Sequence, residues 1–397
     1  MSRFLFVVPP LTGHINPSVA VGAALTQRGH DVSWVGHLEA LTPLLPAHAA
    51  VFPVAHDVSG EALHALAGRW LQLRGTAELR FFWEEFLVPL AQQMLPAVEA
   101  AVDAFAPDVV VSDQQALAGA LVARRAGLPW ATSAITSSEL VRPLAAMPKV
   151  EEWVTECMTS FQRVHGVADP VDLRWSEHLV LIYSTAALIG SVDSLPPHYA
   201  LTGPVLTARP DTIPFPWEWL DPGRRTVLAS LGTLNVGVGE RFFRTLVDAV
   251  ADEGDRLQLI IVAPPDMLES PPPHVLVRES VPQLSLLDHV DAVVTHAGHN
   301  TVCESLAHGL PLVVAPIRDD QPIVAQQVVD AGAGIRVKFA RIRPPELREA
   351  VRAVLAEPSY RERARRIAES FASAGGAATA ADRLEQLANG QPISAYR

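Results

Sequence analysis

Short apolar runs bounded by Pro, Gly or Asp alternate with helical patterns twice along the chain. The first series begins with "FLFVV" at Phe4 and reaches "PDVVVSD" at Asp113. The second begins with "TVLASLG" at Thr226 and continues through "RLQLIIVA", "HVLV", "DAVVTH", "PLVVAP" and "GIRV". A strand followed by a helix and then another strand predicts a parallel sheet with helices on both faces, and a strand buried on both faces reads as a continuous apolar run. Two such series predict two doubly wound α/β domains facing across a cleft. The chain of 397 residues, with 49% hydrophobic residues, is long enough for two buried cores.

Within the first series, "HDVSWVG" and "AVFPV" are further strands. "PSVAVGAALTQRG" is a helix closed by Gly29, and "ALAGALVARRAG" is the helix after the fourth strand. A helical stretch of about residues 60–105 and an insertion of about 135–180 are rich in Trp, Phe and Met. Pro204, Pro210, Pro214, Pro216 and Pro222 mark Gly203–Arg225 as interdomain. The expected domains are 1–203, a linker 204–225, a second domain 226–380, and a closing helix and tail 381–397 that packs back toward the first domain.

The totals exclude several functions. A net charge of −12 argues against nucleic acid as the main partner, which needs a basic face. Cys157 and Cys303, the only cysteines, cannot form a zinc site and imply no disulfide framework, so a reducing cytoplasm is expected. The opening apolar run ends at Pro9 and Pro10, too short for a signal core, and no run is long enough to insert stably in a bilayer. "PPLTGH" is no Gly-x-Gly-x-x-Gly loop, which speaks against a dehydrogenase.

Ligands of doubly wound sheets bind at the carboxyl ends of strands, where strand order reverses between the first and fourth strands. That rule brings His14, after the first strand, to Asp113, at the end of the fourth. In the second half it brings Gly232 and Thr233 to His296. His296 opens "HAGHNTVCE", a strand end followed by a helix start, which suits a phosphate. Gly298 permits close backbone approach, Asn300 and Thr301 can donate to phosphate oxygens, and Glu304 can accept from ribose hydroxyls. Asp320 and Gln321, after the next strand, suit sugar hydroxyls. Each residue also has a plainer reading: His14 as a turn residue, Asp113 as a helix cap, Glu304 as a solvated helix residue.

The segment "VPQLSLLDHVDAVVTHAGHNTVCESLAHGLPLVVAPIRDDQ" (Val281–Gln321) resembles the nucleotide-sugar signature of family 1 glycosyltransferases of the GT-B fold. "PPLTGHINP", "PDVVVSD" and "LASLGTL" resemble, in order, that family's Gly-His opening, its strand bearing an Asp, and its phosphate loop. The style is similar to bacterial members that act on hydrophobic natural products. The resemblance implies an inverting transfer from a UDP- or dTDP-sugar, with His14 as general base and Asp113 orienting it. It also implies His296, Asn300 and Thr301 on the diphosphate with Gly232–Thr233, Glu304 on the ribose, Gln283 near the base, and Asp320 and Gln321 on the sugar. Val281, Gly298 and His299 are counted with this donor set. Ser280 stands where plant members have a Trp that stacks on uracil, which leaves uracil versus thymine open, and His299 stands where they have another Trp. No cofactor and no metal are expected, because the helix start and His296 would carry the diphosphate. Trp70, Phe81, Phe82, Trp83, Phe86, Met147, Trp153, Met158 and Phe161 are the candidate pocket for a small hydrophobic acceptor. A monomer or homodimer is expected. The alternatives are another GT-B enzyme, such as a nucleotide-sugar epimerase or lipid-linked transferase, and a non-catalytic sugar-nucleotide binder.

Overall fold

A computed structural model describes residues 1–54, 68–70, 73–141, 143–206, 213–232 and 238–393. The first sheet holds β1 (Arg3–Val7), β2 (Asp31–Gly36), β3 (Ala50–Pro53), β4 (Val109–Asp113), β5 (Trp130–Ala134), β6 (Leu179–Ile182) and β7 (Tyr199–Leu201). The second holds β8 (Arg225–Ser230), β9 (Leu257–Val262), β10 (Val275–Arg278), β11 (Ala292–Thr295), β12 (Leu312–Val314) and β13 (Gly334–Arg336). Their orders are β3-β2-β1-β4-β5-β6-β7 and β10-β9-β8-β11-β12-β13. Every pairing is parallel. Both sheets therefore reverse direction of winding between their first and fourth strands, at β1/β4 and β8/β11.

The two-residue period of a strand sorts β1 onto two cores. Leu5 and Val7 pack with Met94 and Val98 of helix Val88–Phe105 and with Leu117 and Leu121 of helix Leu117–Arg125. Phe4, Phe6 and Val8 face the other way, against Val21 and Leu25 of helix Thr12–Gln27 and Ala380 and Leu384 of helix Gly376–Ala388. A fully buried Leu or Phe contributes roughly 1.5–3 kcal/mol relative to exposure, so both faces are strongly specified. The second sheet repeats the scheme: Val227 and Ala229 lie in one core, Leu228 in the other.

The chain forms two compact units. The first is Met1–Tyr183, Asp193–Thr207 and Ala374–Arg397; the second is Ser184–Val192 and Ala208–Ser373. These bounds differ from those drawn on the sequence. Leu188 and, from the proline-rich span, Phe215, Trp219 and Leu220 pack into a core of the second unit. Residues 374–380 join the first unit, where helix Gly376–Ala388 lies on helix Thr12–Gln27.

Three further differences have physical reasons. The helix placed at Pro17 begins at Thr12, so His14 sits in its first turn and Pro17 inside it. Pro17 has no N–H to give the Gly13 carbonyl, which made the turn before it unreadable as helix. The expected helical stretch after β3 is described at 68–70 and from Thr76 to Phe105, with a π-helical turn at Phe82–Leu87. That widened turn precedes Pro89, whose ring clashes with the Glu85 carbonyl in a regular α-turn. Finally, β5, β6 and β7 continue a sheet that the sequence carried only to its fourth strand.

Candidate active site

Val7 of β1 pairs with Ser112 of β4. The residues just beyond this pair meet as the switch-point rule requires. His14 Nδ1 lies 3.0 Å from both Asp113 Oδ1 and Oδ2. The carboxylate side chain is wholly buried, and the imidazole keeps 15% of its surface exposed. Asp113 Oδ1 also accepts the backbone N–H of Gln115 at 2.8 Å, which fixes the carboxylate plane. A neutral imidazole facing a carboxylate donates its Nδ1 proton and carries its lone pair on Nε2. The ring is thereby held in the tautomer a general base needs. Behind it, Tyr183 OH lies 3.2 Å from Ser133 Oγ. Burial raises the phenol's pKa above its ordinary value, and the Asp113 charge adds to that. Ser133 and Tyr183 escaped the sequence reading because β5 and β6 were not recognised there.

In the second unit Ser230 of β8 pairs with Thr295 of β11. The next residues build a cradle around His296. A methyl group on Gly298 would come within 2.5 Å of His296 Nε2, and one on Gly232 within 2.8 Å of its Cε1. Only glycine lets the ring lie between these two backbones. Ala297, between His296 and Gly298, adopts a left-handed φ of 69°, a strained turn from strand to helix. Burial lowers the His296 pKa to about 4, against the opposing pull of Asp320 and the Ser230 backbone, so the ring is neutral at physiological pH. Helix His299–Ala307 starts here with Gly298 as its N-cap. Asn300 and Thr301, both half-buried, occupy its first turn, where N–H groups have no helical partner. Gln283 Nε2 donates to Glu304 Oε2, and Glu304 is 5% exposed. The amide expected near a base is thus placed on the carboxylate expected at the ribose. Asp320 occupies the N-cap position of helix Gln321–Asp330. Gln321 Oε1 accepts the backbone N–H groups of Ile317 and Arg318 at 3.0 and 3.1 Å, leaving Nε2 as its donor. Val281 is a core residue, and His299 is buried with Nε2 3.5 Å from Cys303 Sγ. Thr233 lies outside the described residues.

The family model described as "UDP-glucoronosyl and UDP-glucosyl transferase" matches residues 213–371. The 4'-demethylrebeccamycin synthase of Lentzea aerocolonigenes is 31% identical, over 97% of this chain and 99% of that protein. The chain belongs to this family. It is a glycosyltransferase, and solved structures with the same architecture agree. The glycotransferase of kitacinnamycin matches with a TM-score of 0.82 and 25% identity, covering 97% of this chain and 99% of its own. The calicheamicin glycosyltransferase CalG4 matches at 0.78 and 25%, covering 98% of each.

The aromatic residues expected to receive the glycosyltransferase's acceptor divide in two. Trp83, Phe86, Met158 and Phe161 belong to the core beneath β1, and Phe81 is 3% exposed. These five pack within the protein; the arginine of Arg174 lies over Trp83, 5.7 Å from the ring centroid. Trp70 rests against Phe81, Phe82 and Phe86, with ring centroids 5.5–6.3 Å apart. Phe82 and Trp153 are half-buried and Met147 is exposed. Among the described residues no helix of the glycosyltransferase is long and apolar enough to cross a membrane.

Proposed function

We propose that this glycosyltransferase moves a sugar from a UDP- or dTDP-sugar to a hydroxyl or amine of a small hydrophobic natural product, inverting the anomeric centre without a metal ion. The observation that carries the reading is the His14–Asp113 pair, whose buried carboxylate holds the imidazole as a base. His14 Nε2 takes the acceptor proton as the acceptor oxygen bonds to the anomeric carbon. The carbon's bond to the diphosphate oxygen breaks on the opposite face, and the electron pair leaves with the nucleotide. Asp113 stabilises the imidazolium that forms. Base catalysis of this kind contributes a factor of roughly 10²–10⁴.

Charge on the leaving diphosphate is met in the second unit. The first-turn N–H groups of helix His299–Ala307, the Asn300 and Thr301 side chains, and His296 are all of a type that donates to phosphate oxygens. Glu304 takes the ribose hydroxyls, and Asp320 and Gln321 the sugar. The relatives' names carry rebeccamycin, kitacinnamycin and calicheamicin, which supports a natural product as acceptor.

The test is transfer from UDP-glucose and dTDP-glucose, with and without excess chelator, to polyketides, macrolides, carotenoids and flavonoids set beside simple sugars and peptides. We expect a product of opposite anomeric configuration to the donor, formed equally in chelator. Loss of turnover in chelator with recovery on adding magnesium overturns the metal-free reading. Preference for simple sugars or peptides overturns the hydrophobic acceptor.

A further inference from the structure

The residue after the buried acid is itself unusual. Gln114 is 1% exposed, and its Nε2 meets no hydrogen-bond acceptor among the described residues. Two of its other groups are engaged. The backbone N–H donates to Ser133 at 3.2 Å, extending the β4–β5 ladder one residue beyond β4. Oε1 accepts the Thr136 backbone N–H at 3.5 Å, at the far limit of a hydrogen bond. The same turn delivers the Gln115 N–H to Asp113, so Gln114 lies inside the loop that orients the base.

A buried donor with no acceptor is expensive, because it loses its water and gains nothing. Leu or Met would fill the same space without that cost. A site for hydrophobic molecules nonetheless needs one or two directional polar groups, since apolar contact alone does not decide which hydroxyl meets the base. Gln114 stands one residue from the acid that holds the base, with an N–H to give.

We infer that Gln114 is a positioning residue for the acceptor, donating from Nε2 to a carbonyl or ether oxygen close to the reacting hydroxyl. The inference rests on the proposed acceptor chemistry and narrows it: the preferred acceptor is a hydrophobic alcohol that carries a second, hydrogen-bond-accepting oxygen beside the reactive one.

The experiment compares the positional isomers of hydroxytetralone, each beside the tetrahydronaphthol that lacks only the carbonyl oxygen. Binding to the intact protein is measured by calorimetry without donor, so it does not depend on turnover. The wild type is expected to bind at least one hydroxytetralone about tenfold more tightly than its partner, the worth of one hydrogen bond. Gln114→Met and Gln114→Leu should abolish that preference, leave the tetrahydronaphthol unchanged, and melt no lower than wild type. With donor present, the loss should fall on acceptor KM and on which hydroxyl is modified, with kcat little altered. No preference in the wild type, or a preference that survives in both variants, overturns the inference. So does equal weakening of both ligands together with a lower melting temperature, which assigns the amide to structure. Tight binding without transfer of sugar to any of these alcohols counts against the proposed function and leaves the comparison of Gln114 variants intact.

Discussion

A histidine that gives its Nδ1 proton to a carboxylate carries its basic lone pair on Nε2. His14→Ala is therefore expected to lower kcat by roughly 10²–10⁴, while the affinity for UDP or dTDP, measured by calorimetry, stays at the wild-type value. Asp113→Asn keeps an oxygen that can serve the Gln115 N–H and the ring together, so its loss is smaller than that of His14→Ala. Equal turnover in wild type and His14→Ala would remove the base from this position. His296 gives a second prediction, about pH. Its folded-state pKa is lowered from 6.5 to about 4 by burial. Between those values the unfolded chain takes up a proton that the folded one refuses, so stability falls as pH drops from 6.5 to 4 and levels off below. The shift corresponds to about 3 kcal/mol. Thermal melts at pH 7 and pH 4.5 should show a larger loss for wild type than for His296→Gln; identical losses would mean that His296 titrates normally. At this scale the dyad was legible in the sequence, because a topological rule places the residues after β1 beside those ending β4. Gln114 was not legible: a glutamine after a strand has no pattern, and only the fold shows that its amide nitrogen is buried without an acceptor among the described residues.

The turn from β11 into helix His299–Ala307 works as a unit through two missing side chains. Gly298→Ala puts a methyl 2.5 Å from His296 Nε2, and Gly232→Ala puts one 2.8 Å from Cε1 in a backbone with φ of 70°. Either forces the ring aside, at a cost of about 1–3 kcal/mol of stability, and the second adds left-handed strain of about 1–2 kcal/mol. Both variants are expected to weaken UDP and dTDP binding by calorimetry, Gly232→Ala melting lower than Gly298→Ala. Wild-type affinity in both would show that the ring's placement does not matter to the nucleotide. Element by element, the second sheet was readable because each of its strands is an apolar run between breakers. The first sheet was readable only to β4. β5 is "WATSA", whose Thr132 and Ser133 are buried but satisfied, Thr132 Oγ1 by the Arg174 carbonyl and Ser133 Oγ by Tyr183. Hydropathy does not see a polar strand whose partners lie about 40 or 50 residues away. The aromatic stretches divide for the converse reason: a large apolar side chain looks the same in sequence whether it lines a pocket or fills a core.

The whole chain passes from one unit to the other four times, after Tyr183, Val192, Thr207 and Ser373. Helix Gly376–Ala388 closes the first unit by setting Ala380, Ala381, Leu384 and Leu387 into the core that holds Phe4, Phe6 and Leu25. Arg28, at the end of the helix that bears His14, bonds Asp382 and Glu385 across it at 2.6 and 2.9 Å. Leu384→Ala is expected to destabilise the first unit by about 2–5 kcal/mol, a large part of a domain's total. A thermal melt should show this loss while UDP or dTDP affinity, which the proposed function assigns to the second unit, is retained; loss of both together would mean the units do not unfold separately. The closure also sets an order of events during synthesis. The ribosome makes Arg28 more than 350 residues before its partner Asp382. Until helix Gly376–Ala388 emerges, the β1 face that holds Phe4 and Phe6 is covered by helix Thr12–Gln27 but lacks Ala380, Ala381, Leu384 and Leu387, and the second unit, complete at Ser373, is free to fold first. The unit whose first strand is made before the other's is therefore finished after it.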